Sequence, residues 1–169
     1  MKKFLLCFFV LFFISAFVFA TDSVEGFWIS VDEKTGEQTA GWEIWQEDGL
    51  LNGKILAAAD VTADVTADET AGGKGKSYDN FQNGIQVNTV KVVGTTWIWG
   101  LTQKNPGQWE NGYIIDPENG SRYKCKITFH KADGKKYKTD TLEMRGEVGP
   151  FGRSQFWNKA TKEEALSIK

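Results

Sequence analysis

The chain has 169 residues, with 20 lysines and arginines against 22 aspartates and glutamates, a formal net charge of −2 and 14% aromatic residues. This length is typical of one domain that buries a substantial core. No basic cluster is dense enough to neutralise several phosphates, so nucleic acid is not an expected partner.

The first twenty residues have the pattern of a secretory signal peptide. Lys2 and Lys3 precede an apolar run over 4–19, and Val18 and Ala20 place small residues where a signal peptidase reads. We expect cleavage after Ala20, an extracytoplasmic protein (periplasmic or secreted), and no membrane contact except through this segment before cleavage. The alternative is a retained anchor, although the apolar run is shorter than the roughly 20 residues of a membrane span.

Cleavage would leave a single domain over residues 21–158 and a short C-terminal tail over 159–169. The mature chain would keep 18 basic and 22 acidic side chains, a formal charge of −4, because only Lys2 and Lys3 are lost. Cys125 would be its one cysteine, since Cys7 leaves with the signal. An internal disulfide is therefore excluded.

Strand signals in the first half of the chain stop at a repeat. Alternating residues predict strands over 25–31, 41–47 and 50–58, and Asp48-Gly49 predicts the tight turn of a hairpin. Residues 59–84 then repeat Ala-Asp-Val-Thr and continue as a glycine and lysine stretch without core-forming residues. We interpret them as a low-complexity loop inserted between strands.

Strand signals return in the second half, where glycine-centred turns separate short alternating segments. The predicted strands are 85–93, 95–102, 108–115, 122–130, 136–145 and 152–158. In the second of these, Trp97, Trp99 and Leu101 are predicted to share one face. In the fourth, Tyr123, Cys125 and Ile127 share an apolar face, and His130 lies on the polar face. Residues 161–169 have a helical pattern and are expected to fray.

About nine strands without intervening helices predict an all-β antiparallel fold. Short hairpin turns account for most of the connections, whereas a Greek-key sandwich needs longer crossings. A closed up-and-down barrel of about 8–10 strands is therefore favoured over a sandwich.

Several short motifs occur in a distinctive order along the chain. They are Gly26-Phe27-Trp28, Gly53-Lys54-Ile55, Trp109 with Gly112 and Ile114, Asp116-Pro117 with Asn119-Gly120 and Tyr123, Leu142-Glu143-Met144-Arg145-Gly146, and Gly152-Arg153-Ser154-Gln155 with Trp157. In this order the chain resembles the bacterial secreted family catalogued as domain of unknown function 2147. The resemblance implies a lipocalin-like barrel and brings no established activity. The Ala-Asp-Val-Thr insertion departs from the family, as does 50–52, where members often carry a cysteine.

The opening motif is also similar to that of lipocalins, in which a tryptophan at the barrel floor packs under an arginine from a late strand. This resemblance implies such a pair between Trp28 and either Arg145 or Arg153. A guanidinium over an indole face gains about 0.5–2 kcal/mol. The alternative is that Trp28 is ordinary core.

The sequence offers little for catalysis or metal binding. His130 is the one histidine, and its strand parity predicts a solvated side chain, while Cys125 is predicted to be a buried, inert thiol. Zinc would need paired histidines or cysteines. Residues 75–77 lack the earlier glycine of a phosphate loop. We expect no enzymatic activity, no metal and no cofactor.

Alternation in the last strand places Arg153, Gln155 and Trp157 on one face. If Trp157 points inward, the two polar side chains enter the barrel and need partners in the protein or in a ligand. If Phe156 points inward instead, they lie on the surface. The family resemblance favours the inward Trp157.

The leading functional hypothesis is non-enzymatic binding of a small apolar or amphipathic ligand inside the barrel. Arg145 and Arg153 would orient its polar head. The full set of candidate ligand-binding residues is Trp28, Trp97, Trp99, Tyr123, Arg145, Arg153, Gln155 and Trp157. The alternative is an envelope or surface interaction module that binds protein or glycan through exposed tryptophans such as Trp42, Trp45 and Trp109.

Overall fold

The computed structural model describes residues 23–62, 90–117 and 120–169. The predicted signal peptide and residues 63–84 of the predicted insertion lie outside the described residues. The strands are β1 Gly26–Val31, β2 Gln38–Glu47, β3 Leu50–Ala58, β4 Thr96–Asn105, β5 Gln108–Ile115, β6 Arg122–His130, β7 Thr141–Val148 and β8 Phe151–Ala160. A short helix, α1, spans Lys162–Leu166.

The eight strands form a closed barrel in which each strand pairs antiparallel with the next one along the chain. Closure comes from β1 and β8, where Phe27 pairs with Ala160 and Ile29 with Asn158. A closed sheet leaves no strand edge unpaired. The predicted all-β, up-and-down barrel is confirmed, and the sandwich alternative is wrong.

The predicted hairpin turns are present where their residues are described. Asp48 and Gly49 both have positive φ, 51° and 78°, as a two-residue type I′ turn between β2 and β3 requires. Between β5 and β6, the Gly120 N–H donates to the Asp116 carbonyl at 2.8 Å. Local turn chemistry thus sets the register of these hairpins.

Of the segment predicted as a strand over 85–93, the described part, residues 90–93, is not part of the barrel wall. Residues 85–89 lie outside the described residues, and 90–93 belong to none of the eight strands. Val90 and Val92 are instead buried in the core, and the Val92 carbonyl accepts the indole N–H of Trp97 at 2.8 Å. Their alternation reflects burial of two valines and not sheet pairing.

Large aromatic and branched side chains form the core inside the barrel. Trp28, Trp97 and Trp157 are completely buried. The Trp157 ring stacks on Trp42 with 4.6 Å between centroids, and Trp28 meets the edge of Phe129 at 6.2 Å. Such aromatic contacts stabilise the core beyond the area they bury.

Helix α1 packs on the outside of the barrel. Thr161 and Glu164 form a capping box, and Ala165 and Ile168 are buried. The helix approaches β2 at Gly41, where a Cβ atom would overlap the Ala165 carbonyl oxygen. A glycine at this position is therefore required for the close approach.

Candidate functional site

The two ends of the barrel differ in how they are closed. Because consecutive strands are antiparallel, the segment before β1, the β6–β7 loop and the end of β8 lie at one end, here called the floor end. Val24 is buried there and accepts the Trp28 indole N–H through its carbonyl at 2.9 Å. Trp28 therefore closes the floor end, as the resemblance implies.

The cation over Trp28 is a lysine from β8. Lys159 Nζ lies 4.3 Å from the Trp28 ring centroid and donates to the Glu25 carbonyl at 2.9 Å. Partial burial lowers the pKa of the Lys159 ammonium, and the charge of Asp140 opposes this effect. Sequence reasoning missed Lys159, although it lies two residues beyond Trp157 and shares its parity.

The predicted stacking of Arg145 or Arg153 on Trp28 is therefore wrong. Arg145 alternates with Met144, which is buried, so its side chain lies on the outer face, where Nε donates to Glu147 Oε1 at 3.0 Å. The Arg153 side chain is 66% exposed, and its Nη2 lies 3.4 Å from Glu33 Oε2. Neither guanidinium reaches the floor.

The opposite end, here called the open end, carries the β7–β8 turn. Inward-facing positions become more exposed toward this end along β7 and β8. Leu142 and Trp157 pair and are completely buried, whereas Gln155, which pairs with Met144, is half-buried. The next pair is Gly146, half-buried, and Arg153, exposed. The inner wall of β7 and β8 therefore opens gradually to solvent.

Tyr123 belongs to the same opening, and its predicted inward direction is confirmed. It shares a face with the buried Cys125 and Ile127. Tyr123 packs beside Gly146, where a Cβ atom would lie 3.4 Å from the Tyr123 Cβ, and both residues are half-buried. Aromatic surface is accessible here between β6 and β7.

The inward direction of Trp157 is also confirmed. Its indole N–H donates to Gln155 Oε1 at 3.3 Å, so this amide oxygen has a partner within the protein. Among the described residues, the Gln155 amide nitrogen has no hydrogen-bond acceptor. This nitrogen is a polar donor part-way down the barrel wall.

Four of the buried tryptophans donate their indole N–H groups to acceptors within the protein. Trp42 donates to Ser30 Oγ at 3.2 Å, in addition to the Trp28, Trp97 and Trp157 bonds described above. These residues can therefore offer a ligand only apolar ring surface. Among the described residues at this end, polar contacts with a ligand would come from Arg153, Gln155, the Tyr123 hydroxyl or the backbone.

Trp99 does not share a face with Trp97 and Leu101, so this part of the predicted lining is wrong. The register between β3 and β4 shifts twice, between Leu51 and Gly53 and between Gly53 and Lys54. Each bulge reverses the parity of the residues that follow it. Trp99 consequently packs on Tyr113 outside the wall, at 5.9 Å between centroids, and is 9% exposed.

The exposed-tryptophan surface of the alternative hypothesis is also wrong. Trp42 and Trp109 are only 5% and 4% exposed, because each pairs with an inward-facing residue of the neighbouring strand. Those partners are Trp28 and Ile127. Trp45 alone is half-buried on the outer face, with Lys54 Nζ 5.2 Å from its ring centroid. One partly exposed indole does not form an aromatic surface patch.

His130 lies on the outer face as predicted, but it is partly covered and not fully solvated. Nε2 is 3.0 Å from Glu143 Oε2, and the imidazole stacks on Tyr137 at 4.5 Å. Ser154 Oγ donates to the other Glu143 oxygen at 2.7 Å. Burial raises the pKa of Glu143, but the bonds from Ser154 and His130 outweigh it, so the net pKa is lowered. The serine hydroxyl bonds to the carboxylate and not to the imidazole.

Cys125 is fully buried, and burial raises the pKa of its thiol. No cluster of three or more His, Cys, Asp or Glu side chains within the described ranges could hold a metal ion. No helix in the described part of the chain is long and apolar enough to cross a membrane.

Comparison with known proteins agrees with this architecture. A solved protein from the human pathogen Helicobacter pylori, HP1028, described as belonging to the lipocalin family, matches with a TM-score of 0.62 and 12% identity. The match covers 87% of this chain and 90% of that one. At this identity the similarity concerns the fold alone.

No curated protein matches the chain. The family described as uncharacterized protein conserved in bacteria, domain of unknown function 2147, matches residues 26–159. Since the match covers nearly the whole described barrel, the chain belongs to this family.

Proposed function

We propose that this protein binds a small apolar or amphipathic molecule in the open end of its barrel, outside the cytoplasm and without catalysing a reaction. The observation that carries this proposal is the exposure gradient on the inner wall. Inward-facing positions of β7 and β8 pass from completely buried at Leu142 and Trp157 to exposed at Arg153.

The depth of the opening limits the size of the ligand. Trp28, Trp42 and Trp157 pack against one another or their neighbours in the lower part of the barrel. In the upper part Trp97, Ile55 and Ile114 are buried on one side, whereas Tyr123 and Gly146 on β6 and β7 are half-buried. A ligand would therefore lay a short apolar portion on the Tyr123 ring. Of the predicted lining, Trp28 supports the floor and would not touch it.

The polarity of the rim favours a ligand with an anionic or hydrogen-bond-accepting head. The Arg153 guanidinium is mostly exposed, and its contact with Glu33 is long at 3.4 Å. An exposed ion pair of this kind contributes little stability, so a competing carboxylate or phosphate displaces it at small cost. The Gln155 amide nitrogen adds a donor below it.

A blocking substitution tests the site. Gly146→Leu would place a side chain against Tyr123, fill the opening and abolish binding without unfolding the barrel. Ligand binding is measured by native mass spectrometry of gently purified protein. It is also measured by quenching of tryptophan fluorescence across a panel of fatty acids and lipids. A wild-type protein that retains nothing and is quenched by nothing would overturn the proposal, as would unchanged binding by the folded variant.

A pair of variants that each remove one cation tests the head group. Arg153→Ala should weaken anionic ligands about tenfold or more, because a charge-assisted hydrogen bond is lost. Lys104→Ala is the matched control, since this exposed lysine pairs with Glu110 at 2.9 Å near the β4–β5 turn, at the opposite end of the barrel. Equal effects of the two variants would argue against a head-group role.

Export is tested separately. Fractionation of cells that express the full chain should place the protein outside the cytoplasm, with a mature N-terminus at Thr21. A cytoplasmic product that retains residues 1–20 would contradict this part of the proposal.

A further inference from the structure

The β7–β8 hairpin projects from the open end with an apolar tip. Val148 and Phe151 pair across the Gly149-Pro150 turn and are 56% and 79% exposed. The other large exposed hydrophobic side chains in the described part of the chain, Leu50 and Leu166, stand apart on the β2–β3 hairpin and on α1. Two adjacent uncovered apolar side chains on a protruding turn are suited to insertion into an apolar phase.

The strands that carry this tip and the neighbouring strand β6 have several cations on their exposed surfaces. Arg122, Lys124 and Lys126 follow one another on β6, and Lys124 pairs in register with Glu147. Arg145 and Arg153 lie on β7 and β8.

Few carboxylates oppose these cations. Glu147 is shared between Lys126 and Arg145, and Glu33 contacts Arg153. Glu143 also lies on the outer face of β7, where it bonds His130 and Ser154. Five cations thus face three carboxylates, in a chain whose formal net charge is −2. This basic surface is a local feature and does not follow from overall composition.

We propose that this hairpin docks the barrel on an anionic lipid bilayer. Phe151 and Val148 would enter the interface between head groups and acyl chains, while the cations of β6, β7 and β8 would contact the anionic head groups. Membrane contact would then continue after the signal peptide is removed, contrary to the expectation from sequence.

Docking would orient the barrel with its opening toward the bilayer. The hairpin tip and the partly exposed inner face of Tyr123 and Gly146 lie at the same end of the barrel. Docking itself does not depend on a ligand in the barrel, so the two proposals fail separately.

Co-sedimentation with vesicles tests the docking surface. The protein is produced from the full chain in a host that exports it and removes the signal peptide. It should bind vesicles of phosphatidylcholine with phosphatidylglycerol but not vesicles of phosphatidylcholine alone. Binding should become weaker as the salt concentration is raised. Phe151→Ser should reduce binding about tenfold or more, because one aromatic side chain no longer enters the interface. Arg122→Gln with Lys124→Gln should also reduce it, by about fivefold or more per charge.

The matched control is Leu50→Ser, which removes an exposed leucine at the opposite end of the barrel and should bind as wild type does. Circular dichroism verifies that each exposed substitution leaves the fold intact. Absence of binding to anionic vesicles would overturn the proposal. Equal binding to neutral vesicles, or equal losses for Phe151→Ser and Leu50→Ser, would overturn it too.

Discussion

Lys159 shows how one side chain can tie two parts of the barrel together. Its aliphatic stem and ammonium cover the Trp28 ring, while the ammonium donates to the Glu25 carbonyl before β1. A lysine suits this place because its compact head can serve a ring face and a carbonyl together. Lys159 of the last strand thus closes the floor through its contacts with Trp28 of the first strand and with Glu25.

Acid stability is predicted to depend on Glu147. Bonds from Lys126 and then Arg145 lower the pKa of this carboxyl below its ordinary value of 4.5. The stabilisation is therefore complete above that value and is lost as pH falls through the lower pKa of the folded state. Glu147→Gln should lower the free energy of unfolding at neutral pH and flatten its loss between about pH 5 and pH 3.

Urea unfolding at a series of pH values measures this slope. Lys126→Met should flatten the same region in part, because it removes the leading cause of the lowered pKa, and adding it to Glu147→Gln should change the slope no further. A Glu147→Gln variant that loses stability as steeply as wild type would contradict the assignment.

At the scale of elements, the contact between α1 and β2 is predicted to depend on the missing side chain of Gly41. Gly41→Ala would push the added methyl into the Ala165 backbone, displace the helix and cost roughly 1–3 kcal/mol of stability. Thermal or urea unfolding measures the loss. Gly146→Ala is the control, since its Cβ meets only an ordinary contact and should change stability little.

Truncation after Ala160 separates a helix effect from a strand effect. In the truncated chain Gly41→Ala should cost much less than in the full chain, because no helix remains to be displaced. Equal costs in the two backgrounds would place the problem within β2 and contradict the proposed role of Gly41.

The elements that sequence predicts well are those whose signal is local. The Asp48-Gly49 turn needs only its own two residues, and the alternation of Tyr123, Cys125 and Ile127 continues through an unbroken strand. The predicted alternation of side chains along β4 was wrong because β-bulges have no characteristic residues that would reveal them in the sequence. A register shift in the pairing with β3 separates Trp97 from Trp99. Simple alternation along the strand therefore places Trp99 on the wrong face.

The candidate site was predicted only in part for a similar reason. Parity correctly turned Trp157 and Tyr123 inward, because nothing interrupts their strands. Whether an inward-facing side chain is buried depends on its distance from the floor of the barrel, and the alternation of residues along a strand gives no information on that distance. Arg153 therefore shares the parity of Trp157 and still ends at the rim, exposed.

At the scale of the whole molecule, the closed barrel is predicted to shield Cys125 until the molecule opens. The thiol is fully buried in β6, and burial raises its pKa, so both access and ionisation are suppressed. Reaction with an aromatic disulfide reagent should be at least about a thousandfold slower than in urea, because it requires opening of the barrel.

The reagent assay uses a chain with Cys7→Ser, so that Cys125 is the thiol observed. The denatured protein serves as the reference for full reactivity, and protection should disappear along the same urea curve as the tryptophan signal. Rapid labelling of the folded protein would show that the wall opens locally at β6.

The pairing of Phe27 with Ala160 has a consequence for how the protein is made. The first strand leaves the ribosome long before its partner exists, and at about 5–20 residues per second the wait lasts several seconds. Until β8 emerges, β1 lacks one neighbour and the floor lacks Lys159. The barrel can therefore close only after β8 has been synthesised, and any factor that handles the unfolded chain has that whole interval in which to act.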